Sequence, residues 1–124
     1  GVNPNHVEIN AAEEFDDPGS VYSFYKKLIA MRHNNATIAT GEWNLVAADS
    51  EQVYSFTRTS GDDTILVIVN LTDKTAQVPA EVAQLLEDGV GESQVLLSTY
   101  DAAHSVKSVA RGELARWEGV VIQL

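Results

Sequence analysis

Cysteine is absent from the 124 residues, which excludes disulfides, a thiolate nucleophile and cysteine-ligated zinc. Cations are few. Eight Lys and Arg stand against 18 Asp and Glu, for a formal net charge of −10. Nucleic acid and anionic membranes both require clustered Lys and Arg, so neither is expected as a partner; the acidity reads as a solubilising surface. No apolar run approaches the ~20 residues of a spanning helix, and nothing resembles a signal peptide. The expected compartment is therefore the cytoplasm. In that context the sequons Asn35-Ala36-Thr37 and Asn70-Leu71-Thr72 read as chance. Internal repeats and low-complexity segments are also missing.

The chemistry of enzyme sites is equally scarce. His6, His33 and His104 lie far apart, with no second ligand at helix or hairpin spacing, so no metal site is expected. No serine sits in Gly-x-Ser-x-Gly, and no glycine-rich phosphate loop occurs. The acidic pairs Glu13-Glu14, Asp16-Asp17 and Asp62-Asp63 fall at helix starts or turns, where capping and turn geometry account for them. No cofactor is implied. Trp43, Trp117 and Tyr100 would suit a carbohydrate-stacking platform, but both tryptophans are assigned to the core.

What is present changes style near residue 35. Before it the chain reads as loop and helix; after it, as short strands. It opens on Gly1-Val2-Asn3-Pro4-Asn5, loop material without an initiator Met, and reads as a piece of something larger. Asn10 with Glu13 fits a capped helical turn to about Phe15, and Asp17-Pro18 fits the cap and first position of a helix running to about His33. On a helical wheel Met31, Phe24, Leu28, Val21, Tyr25, Ile29 and Tyr22 cover about half the circumference. That is wider than the ~100° stripe one sheet requires, so two contacts are expected.

Beyond Gly41 the period becomes two. Strands are expected at 43–46, 53–59, 64–70, 75–78, 94–99 and 119–124. Tyr54, Phe56 and Arg58 fall on one face of the second, and the third is an apolar, buried central strand. Residues 80–86 suggest a helical turn. Residues 101–111 are polar and weakly patterned. Some six strands joined by hairpin-type turns, without long helices between them, argue a mainly β domain, an antiparallel sandwich preceded by one amphipathic helix. The division expected is 1–35 and 36–124.

Val2-Asn3-Pro4-Asn5, Ile9-Asn10, Asp17-Pro18, Ser20-Val21 and the run from Tyr25 through Lys26, Lys27, Leu28, Ile29, Ala30 and Met31 to Arg32 resemble a stretch of glycoside hydrolase family 13 α-glucosidases. The group is that of oligo-1,6-glucosidases, dextran glucosidases and sucrose isomerases. Gly41-Glu42-Trp43, the run Val53-Tyr54-Ser55-Phe56-Thr57-Arg58, Leu66-Val67-Ile68-Val69-Asn70 and the closing residues from Trp117 to Leu124 agree in order.

The resemblance implies the last helix of a (β/α)8 barrel followed by an α-amylase-type C-terminal sandwich. The catalytic Asp, Glu and Asp of that family project from barrel strands upstream, and no residue here matches them. Retaining glycoside hydrolysis needs two carboxylates about 5–5.5 Å apart across the scissile bond, so this chain alone is expected to be inactive. The implied partner is the missing barrel of the same polypeptide. Asn3 and Asn5 would lie near the barrel mouth. Tyr22, Tyr25, Leu28 and Ile29 form the expected barrel-facing flank, through which an isolated chain would pair as a homodimer. The alternative is a free-standing α-glucan-binding or self-assembly module.

Overall fold

The apolar, β-branched run at residues 65–69 sits at the centre of the molecule, as its composition predicts. The structure, a computed structural model, describes residues 19–124; Asn3, Asn5, the caps at Asn10 and Asp17, and Pro18 lie outside them. The elements are helix α1 (Gly19–Met31), helix α2 (Ala36–Thr40), strands β1 (Glu42–Val46), β2 (Val53–Ser60), β3 (Asp63–Asn70) and β4 (Ala76–Gln77), helix α3 (Ala80–Leu85), β5 (Val95–Ser98), helix α4 (Ala102–Arg111), β6 (Glu113–Leu114) and β7 (Gly119–Gln123).

Five strands form one antiparallel sheet in the order β1-β2-β3-β7-β5, and β4 pairs with β6 in a two-stranded ribbon. With β3 third of five, both of its faces are covered, which is why it carries an unbroken apolar run rather than alternation. Alternation appears one strand out: Val53, Ser55 and Thr57 of β2 are buried while Tyr54, Phe56 and Arg58 are half-buried.

The two faces carry separate cores. On one, Val53, Leu66, Ile68, Val120 and Ile122 pack against Ala76 and Leu114 of the ribbon and Val82 of α3. On the other, Ile65, Val67, Val69 and Val121 pack beneath Phe24 and Leu28 of α1 and Ile38 of α2. The chain is thus an antiparallel β-sandwich preceded by a helix, the architecture expected from the sequence, with helices completing each layer. At the α1–β7 contact Gly119 has no side chain because Phe24 occupies its space; a Cβ there would lie 2.8 Å from the ring.

The structure corrects three expectations. The polar stretch 101–111 is a capped helix, α4 (Ala102–Arg111), and its neglect made the sandwich look free of helices between strands. Asp101 caps it, its Oδ1 accepting from the His104 N–H at 2.7 Å, and Gly112 ends it in the left-handed region at φ 78°. Its inward positions include Ser105 and Ser108 rather than large apolar residues, which hid the period. Trp43 does not fill the core: it lies on the edge strand β1 and is 45% exposed. The short helix α2, capped by Asn35 Oδ1 accepting from the Ile38 N–H, has no counterpart in the sequence reading.

Candidate functional site

Two places concentrate polar chemistry or unpartnered surface: the end of β6 with the corner leading into β7, and the outward side of α1. At the first, Glu118 is completely buried. Its Oε2 accepts from Ser105 Oγ at 2.7 Å and lies 3.2 Å from His104 Nδ1, while its Oε1 accepts from Ser108 Oγ at 2.9 Å and the Ala115 N–H at 2.8 Å. Tyr100 stacks on the His104 ring with centroids 4.2 Å apart, and its hydroxyl donates to the Arg116 carbonyl at 3.0 Å. Helix α4 supplies the donors because His104, Ser105 and Ser108 lie at helical spacing on one side of it.

This Ser, His and Glu grouping superficially resembles catalytic machinery, but it is inward-facing. Both serines donate to the carboxylate and are buried with it, Ser108 Oγ lying 3.4 Å from His104 Nδ1 as well. A nucleophile needs an open approach and a base. A buried carboxylate needs saturated acceptors, and this one has them. The cluster fastens α4 to the β6–β7 corner. Among the described residues no group of three or more His, Cys, Asp or Glu is placed to hold a metal. A cavity beside Ser20 and Ser98 is about 10 Å³, room for a water and far too small for a sugar.

The outward side of α1 is different. Tyr22 is 70% exposed and Ile29 58%, and no described element covers them. Tyr25 is half-buried on the same flank, where burial, with Tyr54 beside it, pushes its phenol up to about 12. Leu28, assigned to this flank from the wheel, points the other way into the core with Phe24. The apolar arc is therefore split: Phe24 and Leu28 serve the sheet, while Tyr22 and Ile29 face outward. Trp43 and Trp117 do not form one platform. They belong to the edge strand β1 and to the approach to β7, with β2 and β3 between those strands, and the Trp117 Nε1 is buried.

No protein-family model matches the chain. Curated relatives do. The oligo-1,6-glucosidase of Parageobacillus thermoglucosidasius is 33% identical over 99% of this chain and 21% of its own length, and that of Bacillus cereus is 30% identical over the same shares. Among solved structures, trehalulose synthase MutB from Pseudomonas mesoacidophila MX-45 is 31% identical with a TM-score of 0.55, covering 98% of this chain and 21% of that one. The chain thus spans about a fifth of the length of the relatives it matches. The match runs through the helix and the sandwich alike. The chain is similar throughout to a C-terminal part of glycoside hydrolase family 13 enzymes, oligo-1,6-glucosidases and trehalulose synthase MutB among them. Beside these relatives the outward flank of α1 becomes the feature to explain.

Proposed function

We propose that the chain is the non-catalytic C-terminal part of an α-glucosidase that hydrolyses α-1,6 or α-1,4 glucosidic bonds of short oligosaccharides, and that its task is to brace a (β/α)8 catalytic barrel. The observation that carries this reading is the colinear match of 99% of the chain to 21% of an oligo-1,6-glucosidase. The split character of α1 supports it: a helix shared between barrel and sandwich needs an apolar stripe on each side. Residues 1–35 would then belong to the barrel side and 36–124 to the C-terminal domain, with Asn3 and Asn5 approaching the barrel mouth. We assign it to the cytoplasm. Without the barrel, Tyr22, Tyr25 and Ile29 would draw two copies together, since exposed apolar patches of this kind recruit partners.

The test is complementation. The chain alone should release no glucose from isomaltose. Replacing the matching stretch of the Parageobacillus enzyme with this chain should leave isomaltose hydrolysis intact, whereas deleting that stretch should sharply lower its activity and heat resistance. Full activity and unchanged heat resistance after deletion would sink the bracing role.

A further inference from the structure

A row of aromatic rings leads away from α1 across the sheet to its edge. Phe24 and Tyr25 meet edge to face at 5.8 Å between centroids. Tyr25 and Phe56 both pack against the core cluster beneath α1. Tyr54 and Phe56 are 5.7 Å apart, and Phe56 and Trp43 6.0 Å. Strand register explains the row: Leu45 pairs with Phe56 and Trp43 with Arg58, so Trp43, Leu45, Tyr54 and Phe56 share the face that carries α1. The interior end of this row is covered by α1. Its outer end is not, since Trp43 is 45% and Leu45 42% exposed.

We propose that this strip, from Tyr25 through Tyr54 and Phe56 to Trp43 and Leu45, is a second contact surface for the catalytic barrel, so that the barrel rests on the sheet edge as well as on α1. The inference rests on the reading of the chain as part of a longer enzyme. It adds which part of the sandwich the barrel touches.

Three observations favour the barrel over other occupants. The relatives are about five times longer than the matched stretch, so a large body of chain is available to cover the strip. The strip is continuous with the outward flank of α1, so one body can cover both. The charge is also distinctive: residues 19–41 hold Lys26, Lys27 and Arg32 and no Asp or Glu, in a chain of net charge −10. That suits an acidic partner surface. A second copy docked through α1 would bring together two segments that each carry Lys26, Lys27 and Arg32 and no acidic residue, which makes self-association the weaker contact.

The experiment co-expresses the 124-residue chain with the Parageobacillus oligo-1,6-glucosidase lacking its matching stretch, and measures association of the two pieces. Tyr22→Arg probes the helix flank, Trp43→Arg and Leu45→Arg probe the strip, and Ala83→Arg on α3, on the opposite face, is the control. All four positions are exposed, so circular dichroism should show native folding in each. The expected result is a loss of at least tenfold in affinity for the helix and strip variants and no change for the control. Loss with Tyr22→Arg but not with Trp43→Arg or Leu45→Arg would overturn the second contact while leaving the bracing role intact. Failure of the wild-type pieces to associate would overturn both, and protection of Trp43 from acrylamide by isomaltose or by dimerisation would assign the strip to a different occupant.

Discussion

Ser105 Oγ donates to Glu118 Oε2 at 2.7 Å, and both residues are completely buried. The bond joins the middle of α4 to the residue preceding β7, which pairs with both β3 and β5. Taking a carboxylate out of water is expensive, and the cost is offset only when its lone pairs are met by fixed donors. Here two hydroxyls and one backbone N–H meet it. The Trp117 backbone just before it sits at φ 55°, an uncommon conformation for so large a residue. The corner is held in an unfavourable backbone geometry by the bonds made next to it.

Glu118→Ala should therefore destabilise the fold by roughly 3–5 kcal/mol, the range for breaking a buried charged network. Ser105, Ser108 and the Ala115 N–H all lose their acceptor. Glu118→Gln should cost distinctly less, because its amide oxygen still meets the Ala115 N–H and the serine hydroxyls can rotate. Urea denaturation of the two variants checks the order. Equal costs would mean that packing, not hydrogen bonding, fixes the corner.

The same network shows what the sequence could and could not reveal. Strand β3 is legible because residues 65–69 are all apolar, and β2 because its residues alternate. Helix α1 is legible from its apolar arc, although the wheel cannot say which part of an over-wide arc faces the sheet, and it misassigns Leu28. Helix α4 is hidden because pattern reading scores serine as polar and outward, whereas Ser105 and Ser108 turn inward to a carboxylate ten or more residues downstream. Trp43 misleads for a related reason: an aromatic in a strand is usually a core residue, and only the strand order reveals that β1 is an edge. The inward bonding of Glu118 has no local sequence signal.

Gly119→Ala tests the seat of α1 on the sheet. A methyl group there would stand 2.8 Å from the Phe24 ring, which is buried against β7, so the helix must shift. Overpacking of this kind costs roughly 1–3 kcal/mol. Combining it with Phe24→Leu should cost less than the sum of the two single changes, because the smaller side chain relieves the clash. Thermal melts of the three variants decide; strict additivity would show that the ring moves aside freely.

Asn70 ties the end of β3 to two loops. Its Nδ2 donates to the Lys74 carbonyl at 2.7 Å and the Ala115 carbonyl at 2.9 Å, while Oδ1 accepts from the N–H and the hydroxyl of Thr72. Both amide hydrogens are thus used inside the fold, so the sequon at this residue is structural. Asn70→Asp places a carboxylate oxygen against two carbonyls and should cost roughly 3 kcal/mol at neutral pH, the scale of an uncompensated buried charge. Lowering the pH should recover part of that loss, since a protonated carboxyl can donate again. A deficit in urea stability that is the same at pH 4 and pH 7 would refute this account.

Tyr25 gives the chain an alkaline limit that can be read optically. Its phenol is held neutral by burial, aided by the Tyr54 phenol, with a pKa of about 12 against an ordinary value of 10.0. The folded state therefore binds more protons than the unfolded state between those values, and unfolding becomes easier as pH rises through that window. The contribution is complete below pH 10 and gone above about 12. Because the ring is only half-buried, water moderates its size, and the direction is the prediction. Spectrophotometric titration at 295 nm should show one of the four tyrosines ionising near 12, and Tyr25→Phe should remove that step together with its share of the alkaline loss of stability. If the late step survives in Tyr25→Phe, the protected phenol is another tyrosine, and the proposed strip beside α1 is packed differently from this description.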